Sequence, residues 1–245
     1  MRTTLPYHVS PARTELTMCG RFALSKSERI DWAQFGVRCG PALPPHWNLG
    51  PGRAIAAVRD AGAGTEVAQL AWGLIPYWAK ERSIGARLAN ARAESAHEKP
   101  AFRSAFQTRR CLIPADGFYE WQVVGGTARK QPWFVHRDDE GIFALAGLWE
   151  RWQPPAGDPV ESCTVLTTAA NALMAPIHHR MPVIIDPACY GEWLAPGTAA
   201  DRARELLEPW SGAGMAAHRV SLRVNSTAHD DAVCIAPLTD DATPR

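Results

Sequence analysis

The chain lacks any apolar run near the ~20 residues that a membrane-spanning helix requires, which excludes a helical membrane protein. It also lacks a charge excess. Its 26 Lys and Arg against 25 Asp and Glu leave a formal charge of +1, so no protein-wide basic field advertises a nucleic-acid binder. A local basic groove stays compatible with this balance, because net charge is silent about placement. Paired cysteines are missing too. Cys19, Cys39, Cys111, Cys163, Cys189 and Cys234 are scattered, with no C-x-x-C spacing. That argues against a zinc site, and a disulfide framework would be unusual in a chain this long. No metal and no cofactor are expected, and a reducing cytoplasm fits best. There is no internal repeat. Residues 1 to 17 have no hydrophobic segment of the kind a secretory signal carries.

What is present is a folded composition. Hydrophobic residues make up 46% of 245, enough for one sizeable core and at most two small domains. Ser25 to Phe35 predicts a short helix opened by a Ser25–Glu28 capping box. Ala54 to Val58, Val67 to Trp72, Cys111 to Val124, Trp133 to Arg137, Ile142 to Trp149 and Cys163 to Thr168 read as strands. Gly125-Gly126 and Asp138 to Gly141 read as hairpin turns. Leu88 to Glu94 reads as short and extended, Lys99 to Thr108 as a helical turn or two. Pro187 to Leu194 and Ala199 to Leu207 read as helices, and Ala217 to Pro237 as short strands with a loop. Many strands and few helices predict an α+β domain with a curled antiparallel sheet, and no composition shift divides it.

Residues 1 to 18 contrast with the rest. They read as a disordered leader or as sequence upstream of the true start, leaving a domain over 19 to 240. If Met18 is the initiator, the small residue after it favours its removal, and Cys19 becomes the N-terminus. An N-terminal cysteine carries two nucleophiles on adjacent carbons. Its α-amine, with a pKa near 8 against about 10.4 for lysine, is far more often neutral at pH 7 and so attacks carbonyls readily. The alternative is an internal cysteine in a buried strand.

Four further segments hold chemistry-bearing residues. In Leu88 to Glu94, Asn90 and Arg92 share one face of an extended stretch, suited to a hydroxyl or carbonyl and to a phosphate; an ordinary surface strand would look the same. Glu120 lies between aromatics, where burial would raise its pKa toward neutrality; an exposed edge position is the other option. His178 and His179 sit in a proline-bracketed segment with Arg180. One histidine there suits acid–base work, with Arg180 on a phosphate. Adjacent histidines on a strand would point to opposite faces and would not share a metal. Trp78 follows Pro76 in a loop, suited to stacking on an unpaired base, whereas Trp72 reads as core.

Six segments in this order resemble one family: Met18-Cys19-Gly20-Arg21-Phe22, Trp47 to Pro51, Trp72 to Trp78, Asn90 to Glu94, Gly117 to Trp121, and Ile177 to Pro182. Together, over about Met18 to Pro237, they are similar to the SRAP proteins, the SOS-response-associated peptidase-like family that shields abasic sites in single-stranded DNA. The resemblance implies a single α+β domain around a barrel-like, mainly antiparallel sheet with a few flanking helices. It implies a covalent link from Cys19 to the ring-opened abasic sugar, through a Schiff base to a thiazolidine, with related lyase and self-processing peptidase activity. Asn90, Glu120 and His178 would serve that chemistry, and His178 is favoured over His179. Arg21, Asn48, Arg92 and Arg180 would contact DNA, and Trp78 would stack on it. The implied partner is single-stranded DNA containing abasic sites, bound by a monomer that associates with the nucleoid. A thiol peptidase using Cys19 and His178 is the alternative. Two departures stand out: the residues preceding Met18, and the stretch Ser226 to Asp231 after Val224-Asn225, which leaves Asn225 without an assigned role.

Overall fold

The structure, a computed structural model, describes residues 19–125 and 130–239. The leader and Gly126 therefore lie outside the described residues. Thirteen strands are present among them: β1 (Phe22–Leu24), β2 (His46–Leu49), β3 (Ala54–Asp60), β4 (Thr65–Trp72), β5 (Asn90–Arg92), β6 (Arg110–Ala115), β7 (Gly117–Val123), β8 (Lys130–Arg137), β9 (Phe143–Trp152), β10 (Val160–Ala169), β11 (Arg180–Pro182), β12 (Ile184–Ile185) and β13 (Met215–Arg219). The larger sheet runs β11-β10-β4-β3-β6-β9-β12, and β10 also pairs with β9. Strands β10, β4, β3, β6 and β9 thereby close into a five-stranded barrel. All its pairings are antiparallel except β10 with β4, and β5 joins β10 in parallel at the rim. A second, antiparallel sheet runs β13-β8-β7-β1-β2.

Strand alternation builds two cores at once. Cys111, Ile113, Leu145 and Val165 join Phe22, Phe118 and Val135 of the second sheet in one. Their neighbours Leu112, Ala146 and Leu148 turn the other way, against the helices α2 (Arg103–Thr108) and α3 (Tyr190–Leu194), through Phe106 and Trp193. With α1 (Ala93–Ala96) and α4 (Ala200–Glu205), the helices span only four to six residues, too short to stand alone. Arg110 anchors two of them. Its buried guanidinium donates to the Phe106 and Gln107 carbonyls at the end of α2 and to Trp193 O and Ala195 O at the end of α3, satisfying acceptors that a helix leaves open.

Three sequence expectations change. Cys111 to Val124 is two strands in two sheets, broken at Asp116. That residue is buried and accepts from Ser25 Oγ at 2.8 Å and Lys26 N at 2.6 Å, so it fastens the crossing to β1's exit. Gly117 starts the new strand because a Cβ there would meet the Phe134 ring at 2.1 Å. Ser25, occupied by Asp116, caps no helix; Ser25 to Phe35 is two separate 3-10 turns, the second capped by Asp31. Asp138 to Gly141 joins β8 to β9 across the two sheets and makes no hairpin.

Candidate functional site

Strand β7 carries Glu120 into the space beside Cys19. Both are buried, at 2% and 3% exposure. The Cys19 thiol and main-chain N–H face the Glu120 carboxylate. Burial pushes Glu120 up to about 7, partly offset by those two contacts, while Oε1 has no full hydrogen bond. Burial, and then the Glu120 charge, hold the Cys19 thiol well above its ordinary range, so it is protonated at neutral pH. The Cys19 backbone is left-handed, at φ 51, a conformation costing a non-glycine residue about 1 kcal/mol.

His178 completes the cluster. Its Nδ1 lies 3.6 Å from Glu120 Oε2, and 3.2 Å and 3.1 Å from the main-chain N and O of Arg180, which hold the ring. Burial lowers its pKa, so the imidazole is neutral at pH 7. The two histidines do not sit on opposite strand faces. They end a turn built on Met174 O, ahead of β11, and their rings lie 4.4 Å apart.

Asn90 opens β5, held beside Val165 of β10. It lines a groove of about 630 Å³ together with Trp78, Arg87, Arg92, Lys99, Phe102 and Thr167. Trp78 is 48% exposed and touches Pro100 O at 3.4 Å, whereas Trp72 is core. Arg87, Arg92 and Lys99 are exposed on the walls, with no ion pair among the described residues. The groove is thus cationic with one aromatic face. Arg180 links it to the buried cluster: its main chain holds His178, and its guanidinium reaches Thr167 O at 2.5 Å.

Three expected DNA contacts are placed differently. Arg180 is 9% exposed, and its fork is filled by Glu94 at 2.5 and 2.9 Å, so a phosphate would have to displace that carboxylate. Asn48 is fully buried. Its amide nitrogen lies 3.1, 3.0 and 2.8 Å from the carbonyls of Val224, Ser226 and His229, and its oxygen accepts from Arg21 Nη1. Arg21 continues to Val224 O and Asn225 O. Both residues clamp the loop at 224–229 to β2, and Asp230 reinforces the clamp on Trp47 N and Asn48 N. Asn225 accepts from the Trp121 indole at 2.8 Å, beside Glu120. Asn48→Ala strands several buried partners at once and is expected to cost about 3 kcal/mol, roughly 10 °C in melting temperature. Melting within about 2 °C of the parent would return Asn48 to a surface role. Sequence reading missed Glu94, Arg87 and Lys99 as site residues. Lys99 and Arg87 had no local signal; Glu94 had one, two positions beyond Arg92 in the same extended segment.

Residues 18–227 match the family model described as SOS response associated peptidase (SRAP). The chain is 41% identical over 215 residues to the abasic site processing protein YoqW of Bacillus subtilis, covering 85% of this chain and 95% of that one. It is 32% identical over 206 residues to the abasic site processing protein HMCES of Gallus gallus, covering 74% of this chain and 60% of the relative. A crystal structure of a protein from Bacteroides thetaiotaomicron superposes with a TM-score of 0.81 at 26% identity, over 90% of this chain and all of the other. The chain belongs to the SRAP family.

Proposed function

We propose that this protein captures abasic sites in single-stranded DNA, with Cys19 as its N-terminal residue once residues 1–18 are absent. The freed α-amine attacks the C1′ aldehyde of the ring-opened sugar. Water leaves and an imine forms. The thiol then adds to the imine carbon, its proton passes to nitrogen, and a five-membered thiazolidine closes. One arrangement supports this reading above the rest: the Cys19 nitrogen and thiol both lie against Glu120, a buried carboxyl raised to about 7 while that nitrogen is an amide and drawn back down once the amine is free and charged. A buried carboxyl raised above its ordinary value can both accept the amine's proton and pass one on. Glu120 would protonate the departing hydroxyl and receive a proton from the amine. His178, 3.6 Å away, would act on the sugar oxygens, and Asn90 would orient the sugar from the groove. Trp78 and Arg92 would take a base and a phosphate of the strand. One chain supplies all these groups, so a monomer suffices, and the free thiol suits a reducing cytoplasm, with the protein on nucleoid DNA when bound.

The relatives' shared name, abasic site processing protein, agrees with this substrate. The test is direct. A chain starting at Met18, checked by mass spectrometry for a Cys19 terminus, is incubated with abasic single-stranded DNA and run on a denaturing gel. A heat-stable shifted band is expected with the abasic strand only. A Cys19-terminal protein that leaves the strand unshifted overturns the covalent reading.

A second reading, self-removal of residues 1–18 by a thiol-peptidase step, draws on the left-handed φ of 51 beside the bond to be cut. Its sign is spontaneous appearance of termini at position 19 from the purified 245-residue chain, with no cleavage there in Cys19→Ala.

A further inference from the structure

The far side of Trp78 holds a second groove. It measures about 400 Å³ and is lined by Trp78, Lys80, Glu81, Ser83, Ile84 and Arg87. Trp78 and Arg87 line both grooves, so they form the ridge between two adjoining troughs. We propose that this second groove binds the next nucleotides of the same single strand, extending its path past the ridge on one flank of the lesion. The proposal rests on the single-stranded DNA reading above.

The walls are fixed before any ligand arrives. The turn at Arg82–Arg87 packs backbone to backbone on the end of β4: a Cβ at Gly85 would meet Gly73 O at 2.6 Å. Facing it, Ile75 N donates to Ser162 Oγ at 2.8 Å, and the Trp152 indole donates to Ala79 O at 2.7 Å. Trp78 is therefore held out from the barrel by the segments on either side of it. A preformed trough loses little ordering entropy on binding.

The chemistry matches a nucleotide. Several arginines elsewhere are neutralised in pairs, Arg59 with Glu66 and Glu161, Arg109 with Glu150, Arg202 with Glu192 and Arg223 with Asp231, although Arg38, Arg103 and Arg151, among the described residues, are not. Lys80 and Arg87 have no such partner among the described residues, and they continue the row of exposed cations that Arg92 and Lys99 begin in the first groove. In a chain of net charge +1, that row is a local feature with a phosphate backbone as its natural complement. Glu81 is the one acid in the second groove, and it receives the Ser83 hydroxyl at 3.2 Å. Trp78 and Ile84 supply the apolar surface on which a base can lie. Stacking of this kind is worth about 1–3 kcal/mol per base.

The experiment compares strands carrying a stable tetrahydrofuran lesion analogue, so binding is read without the covalent step. One strand ends beside the lesion on both flanks; others extend one flank at a time to about ten nucleotides. The parent is expected to gain about fivefold or more in affinity from extension on one flank only. Lys80→Glu, an exposed substitution, should bind the short strand like the parent and lose that gain, with a shallower salt dependence. Arg92→Ala should weaken short and long strands alike. The inference is overturned if neither extension helps the parent, if Lys80→Glu weakens short and long strands equally, or if extension helps only when base-paired to a second strand. Adduct formation on a true abasic strand is scored separately. Adducts without a length effect remove the second groove alone, and a length effect without adducts removes the covalent reading alone.

Discussion

Cys19→Ala is expected to abolish the heat-stable adduct with abasic single-stranded DNA, leaving less than about 1% of the parent yield. The size follows from the missing thiol, and from how little neutral amine any lysine could offer in its place. Near pH 7 about 10% of an α-amine of pKa 8 is neutral, against roughly 0.04% of an ordinary lysine. An alanine terminus keeps the amine but has no thiol, so its imine hydrolyses when heated. Cys19→Ser separates the steps: borohydride should trap its imine, while the untreated sample shows no heat-stable band. The 245-residue chain supplies a third arm. There the Cys19 nitrogen is an amide with no basic lone pair, so an unprocessed chain should be as inert as the alanine variant. Denaturing gels with and without borohydride read all three. A full-strength heat-stable band from Cys19→Ala would place the nucleophile elsewhere, and loss of borohydride trapping in Cys19→Ser would count against attack by the amine first.

The strands are legible in the sequence because their residues alternate between two sides, as Leu112 and Ile113 do, whereas the barrel they close was implied by the family resemblance. The break at Asp116 is not legible. Its cause is a buried carboxylate whose partners, Ser25 and Lys26, lie some ninety residues away. The same distance problem explains Asn48 and Arg180. Both are residue types that suit DNA, yet whether a polar group is free depends on what the fold brings to it. Glu94, 86 residues from Arg180, fills its fork, and carbonyls about 180 residues away surround the Asn48 amide. Trp78 fared differently because its exposure is set locally, by Pro76 and the loop around it. The convergence of Cys19, Glu120 and His178 came from family resemblance and from no spacing in the chain, since three distant segments meet there.

Glu120→Gln is expected to move activity and stability in opposite directions. Glutamine keeps the shape and one donor but cannot exchange a proton, so adduct formation at pH 7 by the Cys19-terminal form should slow by about 10²–10³. Stability follows from the carboxyl's pKa, raised by burial from 4.5 to about 7. The folded chain then holds a proton that the unfolded chain releases between those values, so stability falls as pH rises from about 4.5 to 7 and levels off above. The full span corresponds to about 3 kcal/mol at an upper bound. Glutamine mimics the protonated form and removes this slope. In the 245-residue chain the variant should match the parent at pH 4.5 and exceed it by up to about 3 kcal/mol at pH 8. In the Cys19-terminal form the gain should shrink, because an α-ammonium beside the carboxylate stabilises its charge. Denaturant melts of both forms at the two pH values decide the matter. A variant less stable than the parent at pH 8 in the long chain would mean that the Glu120 carboxylate is well solvated or fully paired. It would then have no reason to titrate near neutrality, and its place as the proton carrier for Cys19 would be lost with it.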